Sequence, residues 1–114
     1  VDDDEPVRNV IATILRRAGH DVTVAADAKL ALDAAGTTAT PFELLISDVV
    51  MPGMSGVELS RELLGRKPRL KVLLLSGYPG RHAPQGDEGG MDYMAKPVTP
   101  KQLLDRVDQL LGST

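Results

Sequence analysis

Two apolar runs that end abruptly at polar residues constrain the fold of this 114-residue chain more than any other feature. Leu44–Ile46 is followed by Ser47 and Asp48, and Leu70–Leu75 is followed by Ser76. Short apolar runs bounded in this way are typical of strands that are buried on both faces, as in a parallel sheet. The sequence therefore predicts a sheet that is covered by helices on both sides.

Segments with helical spacing separate the predicted strands. Apolar residues three and four positions apart predict helices over Pro6–Ala18, Ala28–Ala35 and Val57–Leu64, and a last helix that Thr99 caps. Further strands are predicted at Asp21–Ala25 and Met91–Ala95. Strands that alternate with helices imply right-handed crossovers, so we expect a doubly wound α/β sandwich.

Two segments depart from that regular pattern. Only Val1 precedes the first acidic residues, so we expect the first strand to be truncated and the natural chain to begin earlier. Residues 79–90 contain so many glycines and prolines that they predict a loop with at most one helical turn.

Composition narrows the class of protein. The length suits a single domain over residues 1–114, with 42% hydrophobic and 25% charged residues. A net charge of −3 with scattered cations argues against nucleic-acid binding. The chain lacks cysteine, a long apolar stretch and a signal peptide, so we expect a cytoplasmic protein without membrane contact.

Polar residues that could bind a ligand or take part in a reaction follow the predicted strands. The acids Asp2, Asp3, Asp4 and Glu5 follow Val1. Asp48 and Ser76 follow the two apolar runs, and Lys96 follows the strand at Met91–Ala95. Ligands of doubly wound sheets bind beyond the carboxyl ends of the strands, so these positions are the candidate site.

The residues alone leave two interpretations open. The adjacent acids either surround a hard cation such as Mg²⁺, which offsets their repulsion, or lie in solvent and favour a helix dipole. Asp48 is either a nucleophile toward phosphorus or a polar residue where a strand emerges. As a nucleophile it would need a nearby ammonium group and a hydroxyl donor, for which Lys96 and Ser76 are the candidates.

Four segments together resemble the successive motifs of response-regulator receiver domains of two-component signalling. They are Val1–Pro6, Asp48–Gly56, Ser76–Tyr78 and Tyr93–Pro97. The resemblance covers the whole chain and keeps the order and spacing of the motifs. It implies a flavodoxin-like fold with a five-stranded parallel sheet in the order 2-1-3-4-5. The residues of these motifs are most similar to those of receivers at the C-terminus of hybrid sensor histidine kinases.

The resemblance also implies roles for individual residues. Asp48 would accept a phosphoryl group from a phosphohistidine, and Lys96 and Ser76 would bind its oxygens. A Mg²⁺ ion would be held by Asp2, Asp3, Asp48 and the Val50 carbonyl, with Asp3 the more direct ligand of the first two. Ser76 and Tyr93 would form the conformational switch. The Lys96–Pro97 bond is expected to be cis.

The implied partner is a histidine kinase or a phosphotransfer domain, and the sequence leaves open whether the domain forms a homodimer. The domain would assist its own phosphorylation and dephosphorylation without being a separate enzyme, although a longer parent chain could be a histidine kinase. The breaker-rich segment at 81–90 departs from the family, whose fourth helix lies there. The resemblance therefore does not extend to an output surface based on that helix.

Two other functions compete with this interpretation. A haloacid-dehalogenase-type hydrolase also uses an aspartate nucleophile at a strand end, but it normally has a second aspartate two residues later, where this chain has Val50. A receiver-like module that binds partners without being phosphorylated is the other alternative. The set of Asp3, Asp48, Ser76 and Lys96 argues against it.

Overall fold

The computed structural model describes residues 1–38, 41–77 and 91–112. Its helices are α1 (Glu5–Arg17), α2 (Ala28–Thr37), α3 (Gly56–Arg66) and α4 (Pro100–Leu111), and its strands are β1 (Leu44–Asp48), β2 (Lys71–Ser76) and β3 (Met91–Ala95). The predicted elements agree with these to within three residues at each boundary, apart from the segment Asp21–Ala25. The loop predicted at 79–90 lies outside the described residues.

The helices begin where the side chains can cap them. Asp4 caps α1 and Asp27 caps α2, because each carboxylate accepts a hydrogen bond from a backbone N–H three residues later. Ser55 and Thr99 form full capping boxes with Glu58 and Gln102 at the starts of α3 and α4. The predicted cap at Thr99 is therefore confirmed.

The three strands form one parallel sheet in the order β1-β2-β3. Its central strand, β2, is buried on both faces. Val72 and Leu74 pack with α2 and α3 on one side, and Leu73 and Leu75 pack with α1 and α4 on the other. Full burial of each such side chain stabilises the fold by about 1.5–3 kcal/mol. The predicted arrangement, with helices on both faces of a parallel sheet, is confirmed.

The first strand is represented only by Val1 and Asp2, as expected. The Val1 ammonium group donates to the carbonyl of Ile46, and the Asp48 N–H donates to the Val1 carbonyl over 2.9 Å. On its other side, the Asp2 N–H donates to the Ala25 carbonyl over 3.2 Å. The order across the molecule is therefore the segment ending at Ala25, then Val1 and Asp2, then β1.

The strand predicted at Asp21–Ala25 is not formed. Among the described residues only three segments are assigned as strands, and this one is not among them. Its neighbour in the sheet is the short stretch Val1–Asp2, and the Asp2–Ala25 bond is the only backbone bond described between them. One bond does not make a ladder, so an alternating sequence pattern without a full-length partner gives an extended segment.

A cavity of about 570 Å³ lies between α1, this extended segment and β1. Ile11, Leu15 and Leu44 line it, together with the side chain of Arg8. Ala34 of α2 and Leu63 of α3 also line it, so the cavity reaches both faces of the sheet around the extended segment. In the part of the chain that the structure describes, no helix is both long and apolar enough to cross a membrane.

Candidate functional site

The carboxyl edge of the sheet carries the predicted site residues. Asp48 ends β1, Ser76 ends β2, Lys96 follows β3, and Asp2 follows Val1. Because the strands are parallel, these ends meet at one edge. The side chains of Asp2 and Asp48 are only 3% and 13% exposed, so the two carboxylates share a largely dry environment.

Asp2 is held at several points. Its N–H donates to Ala25, its Oδ1 accepts the Asp4 N–H over 2.9 Å, and its Oδ2 lies 3.2 Å from the Lys96 Nζ. A buried carboxylate needs such partners, because burial without them strongly disfavours the charged form. The side chain of Asp2 therefore has a defined direction, toward the edge of the sheet where Asp48 lies.

Three carboxylates converge at this edge. One oxygen from each of Asp2, Asp3 and Asp48 lies within 4.8 Å of the others. Asp3 is exposed, whereas the other two are largely buried, so the cluster is open to solvent on the Asp3 side. A set of oxygen donors open to water suits Mg²⁺, which binds a few carboxylates and retains several waters. The residues present therefore fit this ion.

Lys96 lies between two of these carboxylates. Its Nζ is 3.2 Å from Asp48 Oδ2 as well as from Asp2 Oδ2, and its backbone N–H donates to the Ser76 carbonyl over 2.8 Å. Burial of the ammonium group acts to lower its pKa. The hydrogen bonds and negative charges of Asp2 and Asp48 outweigh burial, so the pKa of Lys96 is raised above its usual value. The lysine is thus a permanent cation of the site.

The pKa of Asp48 is raised as well. Burial is the largest cause and the charge of Asp2 adds to it, whereas Lys96 and the Val50 N–H favour the carboxylate without compensating fully. Lys96 interacts with both Asp2 and Asp48, and its charge does not fully offset the effect of burial on Asp48. The site therefore has more negative than positive charge, and a bound cation would correct this.

The pH dependence of Mg²⁺ binding should follow from the raised pKa of Asp48. As pH falls through that pKa, Asp48 takes up a proton, so it loses both its charge and a ligand oxygen. In the metal-free protein the same protonation relieves repulsion and does not destabilise the fold. We expect the increase in melting temperature that Mg²⁺ produces at pH 7 to shrink steadily toward acid pH. Thermal unfolding with and without Mg²⁺ measures it; an increase that stays constant down to pH 4 would contradict the expectation.

The predicted switch residues, Ser76 and Tyr93, lie in different strands. Ser76 is 2% exposed at the end of β2, one residue beyond the level at which Asp48 pairs with Leu75. Tyr93 is partly buried in β3 and packs against the core on the α2 and α3 side of the sheet. The Val50 N–H donates to the Asp48 carboxylate, and Val50 as a residue is 59% exposed. The roles of Ser76 and Tyr93 as a switch, and of the Val50 carbonyl as a ligand, stay predictions.

Two residues that the sequence did not single out contact the backbone carbonyl of Asp48. The buried Ser47 hydroxyl donates to the Asp48 carbonyl over 2.9 Å, and Gly56 at the start of α3 packs against the same carbonyl. The Gly56 N–H also donates to Val49 over 2.8 Å. A glycine at the first position of a helix was the only available signal, and a sequence cannot show which backbone it approaches.

Comparison with known proteins agrees with this geometry. A sequence model of the response regulator receiver domain matches residues 1–108. Protein PetR of Rhodobacter capsulatus is 37% identical over 112 residues, which cover 97% of this chain and 46% of PetR. The response regulator protein FleR of Pseudomonas aeruginosa is 37% identical over 109 residues, which cover 94% of this chain and 23% of FleR.

Solved structures show the same fold. The receiver domain of the hybrid histidine kinase CckA superposes with a TM-score of 0.80 at 37% identity, covering 96% of this chain and 94% of that one. A response regulator receiver domain protein from Clostridium thermocellum gives a TM-score of 0.87 at 24% identity, covering 98% and 90% of the two chains. The fold is therefore the flavodoxin-like receiver fold.

The chain belongs to the response regulator receiver domain family. Such domains accept phosphoryl groups on an aspartate in two-component signalling, and they interact with histidine kinases or phosphotransfer proteins. They are phosphoacceptors and not separate enzymes, and they generally bind Mg²⁺ at an acidic pocket. The chain spans less than half the length of the curated relatives PetR and FleR.

Proposed function

We propose that Asp48 is the residue that accepts the phosphoryl group, from a phosphohistidine of a kinase or a phosphotransfer domain. The main support is the position of its carboxylate, 3.2 Å from the Lys96 Nζ and within 4.8 Å of two further carboxylates that suit a divalent ion. Asp33, which is exposed on the surface of α2, and Asp27, which caps α2, have no such surroundings. Asp48 thus combines a nucleophilic oxygen with the means to neutralise an incoming anion.

The transfer requires one bond to form and one to break. A carboxylate oxygen of Asp48 attacks phosphorus, the phosphorus–nitrogen bond of the donor breaks, and the imidazole leaves with that electron pair. Asp2, Asp3, Asp48 and the Val50 carbonyl would hold Mg²⁺, which when bound neutralises charge on the phosphoryl oxygens. Lys96 would donate to a second phosphoryl oxygen and Ser76 to a third. Most of the catalysis is positional and electrostatic.

A beryllofluoride titration tests this proposal directly, because the adduct imitates a phosphoryl group on a carboxylate. We expect the amide NMR signals of residues 48–50 and 96 to shift on addition of beryllofluoride, and only when Mg²⁺ is present. A module that is never phosphorylated would show no shift in either case. A haloacid-dehalogenase-type hydrolase would instead turn over a phosphate ester in the same Mg²⁺ buffer.

The lifetime of the phosphorylated form depends on whether a side chain can orient an attacking water. Val50 offers no carboxamide or carboxylate at its position, and Tyr78, the other flanking residue, lies outside the described residues. We therefore expect slow self-dephosphorylation. Because the Val50 side chain is exposed, Val50→Gln should leave the fold intact and shorten the lifetime severalfold. Loss of phosphate followed over time measures both proteins, and equal lifetimes would contradict the expectation.

The parent protein is a separate proposal. We place this domain in a protein that contains or partners a sensor histidine kinase, in the cytoplasm, which is consistent with its 37% identity to the CckA receiver. PetR is equally similar, so identity does not separate a hybrid kinase from a response regulator. The coding sequence on both sides of this segment distinguishes them. Whether the domain forms a homodimer is a prediction that sedimentation with and without beryllofluoride tests.

A further inference from the structure

Arg8 contacts the backbone of Asp2, and this contact has no role in the proposed phosphoryl transfer. Its side chain, in the second turn of α1, is only 15% exposed. Its Nη1 donates to the backbone carbonyl of Asp2 over 2.8 Å. The Nη2 group lies 3.6 Å from Glu5 Oε2, but Glu5 is 75% exposed, and such surface pairs contribute little. The bond to Asp2 is thus the main specific contact of this guanidinium group.

Each polar group of Asp2 has a partner, and that of the carbonyl is Arg8. The N–H of Asp2 binds Ala25, and its two carboxylate oxygens bind the Asp4 N–H and Lys96. Since a peptide unit is planar, the direction of the Asp2 carbonyl also sets the orientation of the Asp3 N–H and the position of the Asp3 Cα. Arg8 therefore controls the residue whose carboxylate completes the three-acid cluster.

Asp3 depends on this backbone restraint more than its partners do. Asp2 and Asp48 are largely buried and bound to Lys96, whereas Asp3 is exposed. An exposed aspartate on an unrestrained backbone samples several directions, and only some of them bring its oxygen within 4.8 Å of the other two. Restraint of the Asp2–Asp3 peptide reduces the entropy that must be lost when a cation binds.

We propose that Arg8 is a positioning residue for the Mg²⁺ site, which acts by fixing the Asp2–Asp3 peptide and thereby the Asp3 carboxylate. The inference rests on the proposed function, because it requires that the cluster binds Mg²⁺. The charge of Arg8 has the opposite effect, since a cation near the cluster repels a second cation. Positioning and charge therefore predict opposite results when Arg8 is replaced, and a binding measurement separates them.

The test compares Arg8→Met with the matched control Arg16→Met. Arg16 lies on the same helix and also donates to a backbone carbonyl, that of Val22 over 3.0 Å, far from the acids in sequence and on an exposed surface. We expect Mg²⁺ affinity, measured by NMR titration, to fall about tenfold in Arg8→Met, as for other residues that orient metal ligands. Arg16→Met should bind as the unaltered protein does. Unchanged or tighter binding in Arg8→Met would overturn the proposal.

A readout without metal completes the test. In the metal-free Arg8→Met protein we expect increased motion of the Asp3 amide on the picosecond to nanosecond timescale, seen as a lower NMR order parameter, with no such change in Arg16→Met. Arg8→Lys can still donate to the Asp2 carbonyl, so it should restore part of the affinity, and it serves as the comparison if Arg8→Met does not fold. If the unaltered protein binds no Mg²⁺, the proposed function fails. If the unaltered protein binds Mg²⁺ and both Arg8→Lys and Arg8→Met bind it equally well, only this inference fails.

Discussion

Replacement of Asp48 by asparagine is expected to abolish phosphorylation completely while the domain stays folded. The carboxamide is nearly the same size, but it has no anionic oxygen with which to attack phosphorus. Because burial and the charge of Asp2 raise the pKa of Asp48, its carboxylate is unfavourable in the metal-free fold, and loss of the charge should not destabilise the protein. The measurement is transfer of labelled phosphate from a small-molecule phosphodonor in Mg²⁺ buffer, followed by a melting curve.

A matched control shows whether the effect belongs to this carboxylate. Asp33 is exposed on α2 and lies outside the acidic cluster. We expect Asp33→Asn to accept phosphate as well as the unaltered protein does. Label that persists undiminished in Asp48→Asn would disprove the assignment of Asp48, and equal losses in both variants would point to a nonspecific reaction.

Gly56→Ala is expected to have the largest effect on stability, a loss of about 3 kcal/mol or more. A Cβ at this position would lie 2.1 Å from the Asp48 carbonyl oxygen and 2.9 Å from the Asp48 carbonyl carbon. These are backbone atoms of the strand that carries the proposed phosphoacceptor, so they cannot move aside without disturbing β1. The same clash should displace the Asp48 carboxylate and weaken Mg²⁺ binding in any protein that still folds.

The control for this prediction lies on the same helix. Gly65 has no atom within 4 Å of its added Cβ and no positive φ. Gly65→Ala should therefore stabilise the domain by about 0.5–1 kcal/mol, since alanine restricts the unfolded chain and favours the helix. Urea unfolding measures both variants. If Gly56→Ala were as stable as the unaltered protein, the close packing of α3 against the end of β1 would be wrong.

The sequence was most informative about elements whose stabilisation is local or follows from burial. The run Leu70–Leu75 predicted a strand buried on both faces, and β2 is that strand. The Thr99 capping box predicted the start of α4, because all of its partners lie within three residues. Such signals are reliable because the interacting groups are close in the chain, or because a continuous apolar run suits little other than a covered strand.

Asp21–Ala25 shows where the same reasoning fails. Its residues alternate between polar and apolar as in a strand, yet it forms no ladder, since one backbone hydrogen bond to Val1–Asp2 is described. A strand is stabilised by its partner, and the pattern of one segment carries no information about the length of another. The supporting contacts of Arg8, Ser47 and Gly56 escaped prediction because each is made with a particular backbone oxygen.

Apart from the segment Asp21–Ala25, the sequence by itself determined the order of strands and helices. It also determined the placement of acids, a hydroxyl and a lysine after the strands, because these features follow from periodicity and from where apolar runs stop. Only the tertiary structure decided which acids meet: Asp2 and Asp3 join Asp48, whereas the adjacent Asp4 caps α1 instead. It also brought Lys96 to Asp2 across 94 positions of the chain. The physical reason is that ion pairing and ligand clusters depend on distances of a few ångströms, which the packing of the sheet sets and one-dimensional spacing does not.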